Sequence, residues 1–152
     1  GRESLQVELN VLLKPCGGCN FHTYPYEAKL PVIQDGVRNI KRFECDQDVW
    51  DVVDLCENEA YETNLQGNDF DIVDSIITKM YFFACPNMFL REDHQKDIQR
   101  YLYCEEFGIS PYPGSYGQQP YKWIQKSFLF KKAFGKQQKK VIDNGRKNTN
   151  KV

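Results

Sequence analysis

The chain has 152 residues, 41% of them hydrophobic, and a net charge of −1, which allows one ordinary core and leaves little room for a second. No apolar run approaches the roughly 20 residues that a membrane-crossing helix needs, and the polar first residues lack the charged-then-apolar form of a secretory leader, as in a mature or trimmed chain. The near-neutral total hides a split: residues 1–119 carry 10 Lys and Arg against 20 Asp and Glu, whereas residues 120–152 carry 10 against 1.

Leu5, Val7, Leu9, Val11 and Leu13 alternate with Gln6, Glu8, Asn10 and Leu12, the period of a strand with one buried face. Pro15, which has no amide proton, ends it, and the turn Cys16-Gly17-Gly18-Cys19 follows. Pro25 and Pro31 leave room for one short helical turn over residues 25–30, and Asp35-Gly36 is a turn pair. Residues 37–45 read as a second strand.

The period then changes. Asp46 is a good N-cap, and Val49, Val53, Cys56 and Ala60 share one helical face while acids line the rest. A second helix is expected from residue 68 or 69, with Phe70, Val73, Ile76, Ile77 and Met80 at helical spacing. A third is expected over residues 92–107, with Ile98, Tyr101 and Leu102 inward and Gly108 as the stop. Residues 109–120 hold Pro111, Pro113, Gly114, Gly117 and Pro120 among tyrosines and must be a loop. Beyond it, Trp123, Ile124, Phe128, Leu129, Phe130 and Phe134 supply bulk that docks on the core, and residues 136–152 are too polar to bury. The fold expected is therefore α+β: a single small disulfide-stabilised domain over residues 1–135, N-terminal strands followed by about three helices, and a disordered basic tail over 136–152.

Six cysteines, Cys16, Cys19, Cys45, Cys56, Cys85 and Cys104, form an even, dispersed set, which reads as an oxidised framework in a secreted or lumenal compartment. Six cysteines allow fifteen pairings, and the sequence does not choose among them. In that reading Cys16 and Cys19 belong to different disulfides that staple the first strand to the helices.

Thiol exchange is the alternative for the Cys-x-x-Cys turn, since it needs one activated thiolate and a second sulfur close by. With strands expected on either side, the segment is similar to the thioredoxin superfamily. That resemblance implies an oxidoreductase with Cys16 attacking, Cys19 resolving and Pro86 as the cis-proline opposite them. The Cys-x-x-Cys followed by Cys45 and Cys56 also resembles the spacing of saposin-like domains.

A third candidate is zinc, because Cys16, Cys19 and His22 form a Cys-x-x-Cys-x-x-His run. A closed site needs four ligands, and no second closely spaced pair exists in the sequence, so neither a metal nor another cofactor is expected. His94 reads as a solvated residue on the polar side of the third helix. There is no Gly-rich phosphate loop, Gly-x-Ser-x-Gly elbow or His-Glu-x-x-His run, which argues against hydrolase and kinase chemistry.

From Glu44 to Asp74 eleven acids occur without one Lys or Arg, and the C-terminal segment is their opposite. The function expected is binding of another protein, such as a receptor, through Tyr112, Tyr116, Tyr121 and Trp123, with Lys131, Lys132, Lys136, Lys139 and Lys140 meeting a glycosaminoglycan or other polyanion. The dominance of lysine over arginine speaks against base-specific nucleic-acid reading.

Overall fold

Strict alternation has a second solution besides a strand, and the first residues take it. In a computed structural model describing residues 2–149, with side chains described from 2 to 145, Arg2–Leu12 is a helix, α1. At about 100° per residue, Leu5 and Leu9 fall on one side and Val7 and Val11 on the opposite side. All four are buried, so a helix enclosed on two sides produces the pattern of a half-buried strand. Of the polar residues between them, Glu8 and Asn10 are buried too. Asn10 donates to the Gln6 carbonyl at 2.8 Å and accepts the Arg91 amide proton at 2.8 Å, and the Glu8 carboxylate lies 3.4 Å from Lys136 and 3.7 Å from Lys132.

The chain forms two compact units, residues 1–12 with 91–152, and residues 13–90. The first is helical. It joins α1 to α4 (Glu92–Phe107) and α5 (Tyr121–Thr149), with a 3-10 turn at Tyr116–Gln118 between the latter two. Val7 and Val11, Ile98 of α4, and Trp123, Phe130 and Ala133 of α5 form its buried cluster. Helix α4 runs over the expected residues and stops at Gly108, whose φ of 63° is the left-handed conformation that favours glycine. Leu102, expected inward, is 41% exposed.

The second unit opens with an irregular segment and one antiparallel hairpin, β1 (Tyr26–Lys29) and β2 (Ile40–Phe43), in which Tyr26 faces Phe43 and Lys29 faces Ile40. The residues expected as a helical turn are thus a strand, and the expected second strand is shorter than residues 37–45. Helix α2 (Asp46–Leu65) packs on β2 and on α3 (Ile72–Met80), and a 3-10 turn spans Pro86–Phe89. Val49, Val53, Cys56 and Ala60 are buried as their helical spacing requires. Helix α3 begins two residues after Phe70, at a cap where the Asp71 carboxylate accepts the Asp74 amide proton, and Phe70 is exposed.

These elements correct the α+β expectation: the chain is mostly helical, with five helices and one hairpin among the described residues. The basic segment expected to be disordered is the continuation of α5 as far as Thr149, and its last residues, 150–152, lie outside the described residues. The disulfide framework is also corrected, because Cys16, Cys19, Cys45, Cys56, Cys85 and Cys104 are all free thiols. With it goes the argument from cysteines to an oxidising extracellular domain.

Candidate metal centre

The Cys-x-x-Cys turn leads from α1 into the second unit and is shaped by its own amides. Gly18 sits at φ 133°, a conformation L side chains rarely adopt, and its N–H donates to Cys16 Sγ at 3.3 Å. Two residues beyond Cys19, the Phe21 N–H donates to Cys19 Sγ at 3.4 Å. The backbone of Cys16 is held in turn by Asn87, whose side-chain oxygen accepts the Cys16 N–H at 2.9 Å. A segment far along the chain is thereby brought against the turn.

An aromatic file fixes that approach. The Phe21 and Tyr24 rings lie 5.0 and 5.6 Å from Tyr26, Tyr26 lies 5.0 Å from Phe43, and Phe43 lies 6.1 Å from the fully buried Phe83. The Tyr26 hydroxyl donates to the Phe83 carbonyl at 2.8 Å, and burial raises its pKa to about 12. Two residues after Phe83 comes Cys85, the residue before the 3-10 turn.

Cys16, Cys19, His22 and Cys85 consequently offer four ligand atoms within 4.8 Å of one another. His22 Nε2 lies 3.8 Å from Cys16 Sγ and 3.4 Å from Cys19 Sγ, and its Nδ1 lies 3.8 Å from Cys85 Sγ. A tetrahedral zinc with Zn–S of about 2.3 Å and Zn–N of about 2.0–2.1 Å has edges of about 3.6–3.8 Å. The two separations from Nε2, 3.8 and 3.4 Å, are such edges to within a few tenths of an ångström, while Cys85 Sγ approaches the other ring nitrogen. Three soft sulfurs and one imidazole are also the donor set that suits zinc.

The sulfurs differ electrostatically. The Gly18 N–H bond lowers the Cys16 pKa, whereas burial pushes Cys85 up to about 11. A cation among them would stabilise all three thiolates, and the N–H···S bonds already orient two. The cavity beside the turn is about 240 Å³, below the roughly 300–1,000 Å³ of small-molecule sites.

Sequence reasoning found Cys16, Cys19 and His22 and missed Cys85, whose short Ala84-Cys85-Pro86-Asn87 segment gave the only local signal. The other cysteines stand apart from the centre. Cys45 is exposed, Cys104 is half-buried, and Cys56 lies in the α2 core, where burial raises its pKa to about 11. The arrangement implied by the thioredoxin resemblance is absent among the described residues. The first segment is a helix, the sheet is an antiparallel hairpin, and the cis peptide bond is Tyr24–Pro25, not the one before Pro86.

The expected binding residues divide. Trp123 is buried, and Tyr112 is half-buried with its hydroxyl accepting from Arg100 at 2.6 Å, while Tyr116 and Tyr121 are exposed. Lys132 and Lys136 reach Glu8, and Lys131, Lys139 and Lys140 lie on the exposed side of α5. His94 is buried, contrary to its reading as solvated. No helix among the described residues is long and apolar enough to cross a membrane. The chain matches no family model, no characterised protein and no solved structure.

Proposed function

We propose that residues 13–90 form a zinc-stabilised module in which Cys16, Cys19, His22 and Cys85 hold one ion in a structural site. The observation that carries this reading is the convergence of three sulfurs and one imidazole, four donor atoms within 4.8 Å of one another, with His22 Nε2 3.8 and 3.4 Å from Cys16 and Cys19 Sγ. Four protein ligands close the coordination sphere, and a closed sphere suits scaffolding, since a catalytic zinc keeps a position for water. The small adjoining cavity supports the same role. Metal analysis of the purified protein tests it: one zinc per chain is expected, falling to a small fraction in Cys85→Ser. A protein that takes up no zinc, or a Cys85→Ser variant that retains all of it, would refute the reading.

A second activity is favoured by α5, which carries nine Lys and Arg against one acid. Its outer side presents Lys131 and Lys139 beside exposed Tyr121, Phe128 and Ile142, a surface suited to a polyanion or an acidic protein. Binding to heparin should weaken steeply with salt and drop in Lys131→Glu/Lys139→Glu. Retention unchanged by both would dismiss it.

A further inference from the structure

The helical unit contains a cleft of about 960 Å³ at which α4 and α5 begin, beside the first residues of α1. The first turn of α4 contributes Asp93 and His94, with Arg91 just before it, and the first turn of α5 contributes Lys122 and Trp123. The opening amides of a helix have no partner within it and concentrate the positive end of its dipole. No side chain caps α4 from its N-cap residue, Arg91, although the His94 N–H is met by the Asp93 carboxylate at 2.9 Å. Two such ends at one cleft favour an anion.

His94 points the same way independently. It lines the cleft, is only 6% exposed, and neither ring nitrogen has a hydrogen-bond partner. Buried polar atoms are nearly always paired, so an imidazole enclosed here with both nitrogens unmet marks a place where another molecule supplies the partner. Burial also holds its pKa below the ordinary value, leaving a neutral ring with one donor and one acceptor.

Four cations, Arg2, Arg91, Lys122 and Lys126, border the cleft against three carboxylates. Arg91 is engaged by Asp93 and Lys126 by Asp97, while Lys122 brings its charge on an exposed side chain at the start of α5. The remaining wall is aromatic and aliphatic. The Trp123 and Tyr112 rings meet edge to face at 6.0 Å, and Phe128 and Leu129 continue that surface. One end of the space thus suits several acceptor oxygens and the other a flat ring.

We propose that the cleft binds a small aromatic phosphate ester, the class that includes nucleoside monophosphates, with its phosphate at the first turns of α4 and α5 beside His94 and Lys122 and its ring against Trp123 and Tyr112. A phosphate offers enough acceptor oxygens for both helix ends, the lysine and the imidazole at once. The site is separate from the proposed zinc centre and does not depend on it.

The test is a titration of the full chain, as purified, with adenosine monophosphate, followed by the ring nitrogen resonances of His94 and the indole N–H of Trp123. Inorganic phosphate and adenosine serve as the two halves. Adenosine monophosphate should move both sets of resonances, each half should bind more weakly, and Lys122→Gln should weaken binding about threefold or more. His94→Asn should weaken it further; should that variant fail to fold, the exposed Lys122 substitution still decides the matter. Unmoved His94 resonances at about 10 mM ligand would overturn the proposal. So would adenosine binding as tightly as its monophosphate, or full affinity in Lys122→Gln.

Discussion

The two units solve the same problem by different means. Residues 1–12 and 91–149 hold together through apolar helix faces sewn by ion pairs, with Phe130 and Ala133 fully buried and Lys126 against Asp97. Residues 13–90 have an apolar core around Phe43, Val53, Ile76 and Phe83, yet their first dozen residues form no regular element and carry three of the four clustered cysteine and histidine donors. Long helices can be stabilised by packing alone, whereas a short irregular segment needs a polar centre to fix it.

Four measurements test whether the two units are held in these different ways. The largest effect is expected from removing the metal. At a thousandfold excess over Kd, zinc contributes about 4 kcal/mol, so chelation should lower the melting transition of residues 13–90 by about 15 °C or more while the helical unit stays folded. Calorimetry with and without chelator reads this directly, and coincident loss of both transitions would show the contrast to be false.

Phe130→Ala should do the converse, destabilising the helical unit by about 3–5 kcal/mol with full zinc content. Denaturant melts and metal analysis of the same sample would separate the two. Acid comes next. His94 faces Lys126 and Arg91, which oppose its protonation, and Asp93 and Asp97, which favour it, but burial dominates and keeps it neutral in the fold. The unfolded chain takes up that proton near pH 6.5, so the contribution is complete above that pH and is lost as pH falls below it. His94→Gln should flatten the loss in the helical unit. The smallest effect is at the α3 cap, where Asp71→Ala should cost about 1 kcal/mol in the other unit.

Much of this division was legible in the residues. Helices α2 and α4 follow their apolar spacing, and α4 has its Gly108 stop. Helix α1 was not legible, because Leu5, Val7, Leu9 and Val11 satisfy a strand and a helix buried on opposite sides equally well, and only tertiary packing separates these. The helical C-terminal segment was hidden by its polarity: Lys139 and Lys140 read as too solvated for order, although Ala133 and Phe134 continue a helix that is anchored earlier. Of the metal centre, the run from Cys16 to His22 is local and could be read. Cys85 lies 63 residues from His22 and reaches it only through the Tyr26, Phe43 and Phe83 rings and the Asn87 bond to Cys16. The six thiols therefore looked like evenly scattered staples when four of the donors that matter, imidazole included, converge on one point.

The ligands also have a topological meaning. Cys16 stands just inside the start of the stretch 13–90 and Cys85 just inside its end, so an ion bound between them pins both strands at the neck of an excursion of about 80 residues. For α1 to find α4, the intervening chain would then behave as a connection of about ten residues, three halvings shorter, which relieves about 2 kcal/mol of closure entropy. A clasp in one half of the molecule would in this way steady the other through the chain alone, and amide exchange in α1 should quicken when zinc is withdrawn.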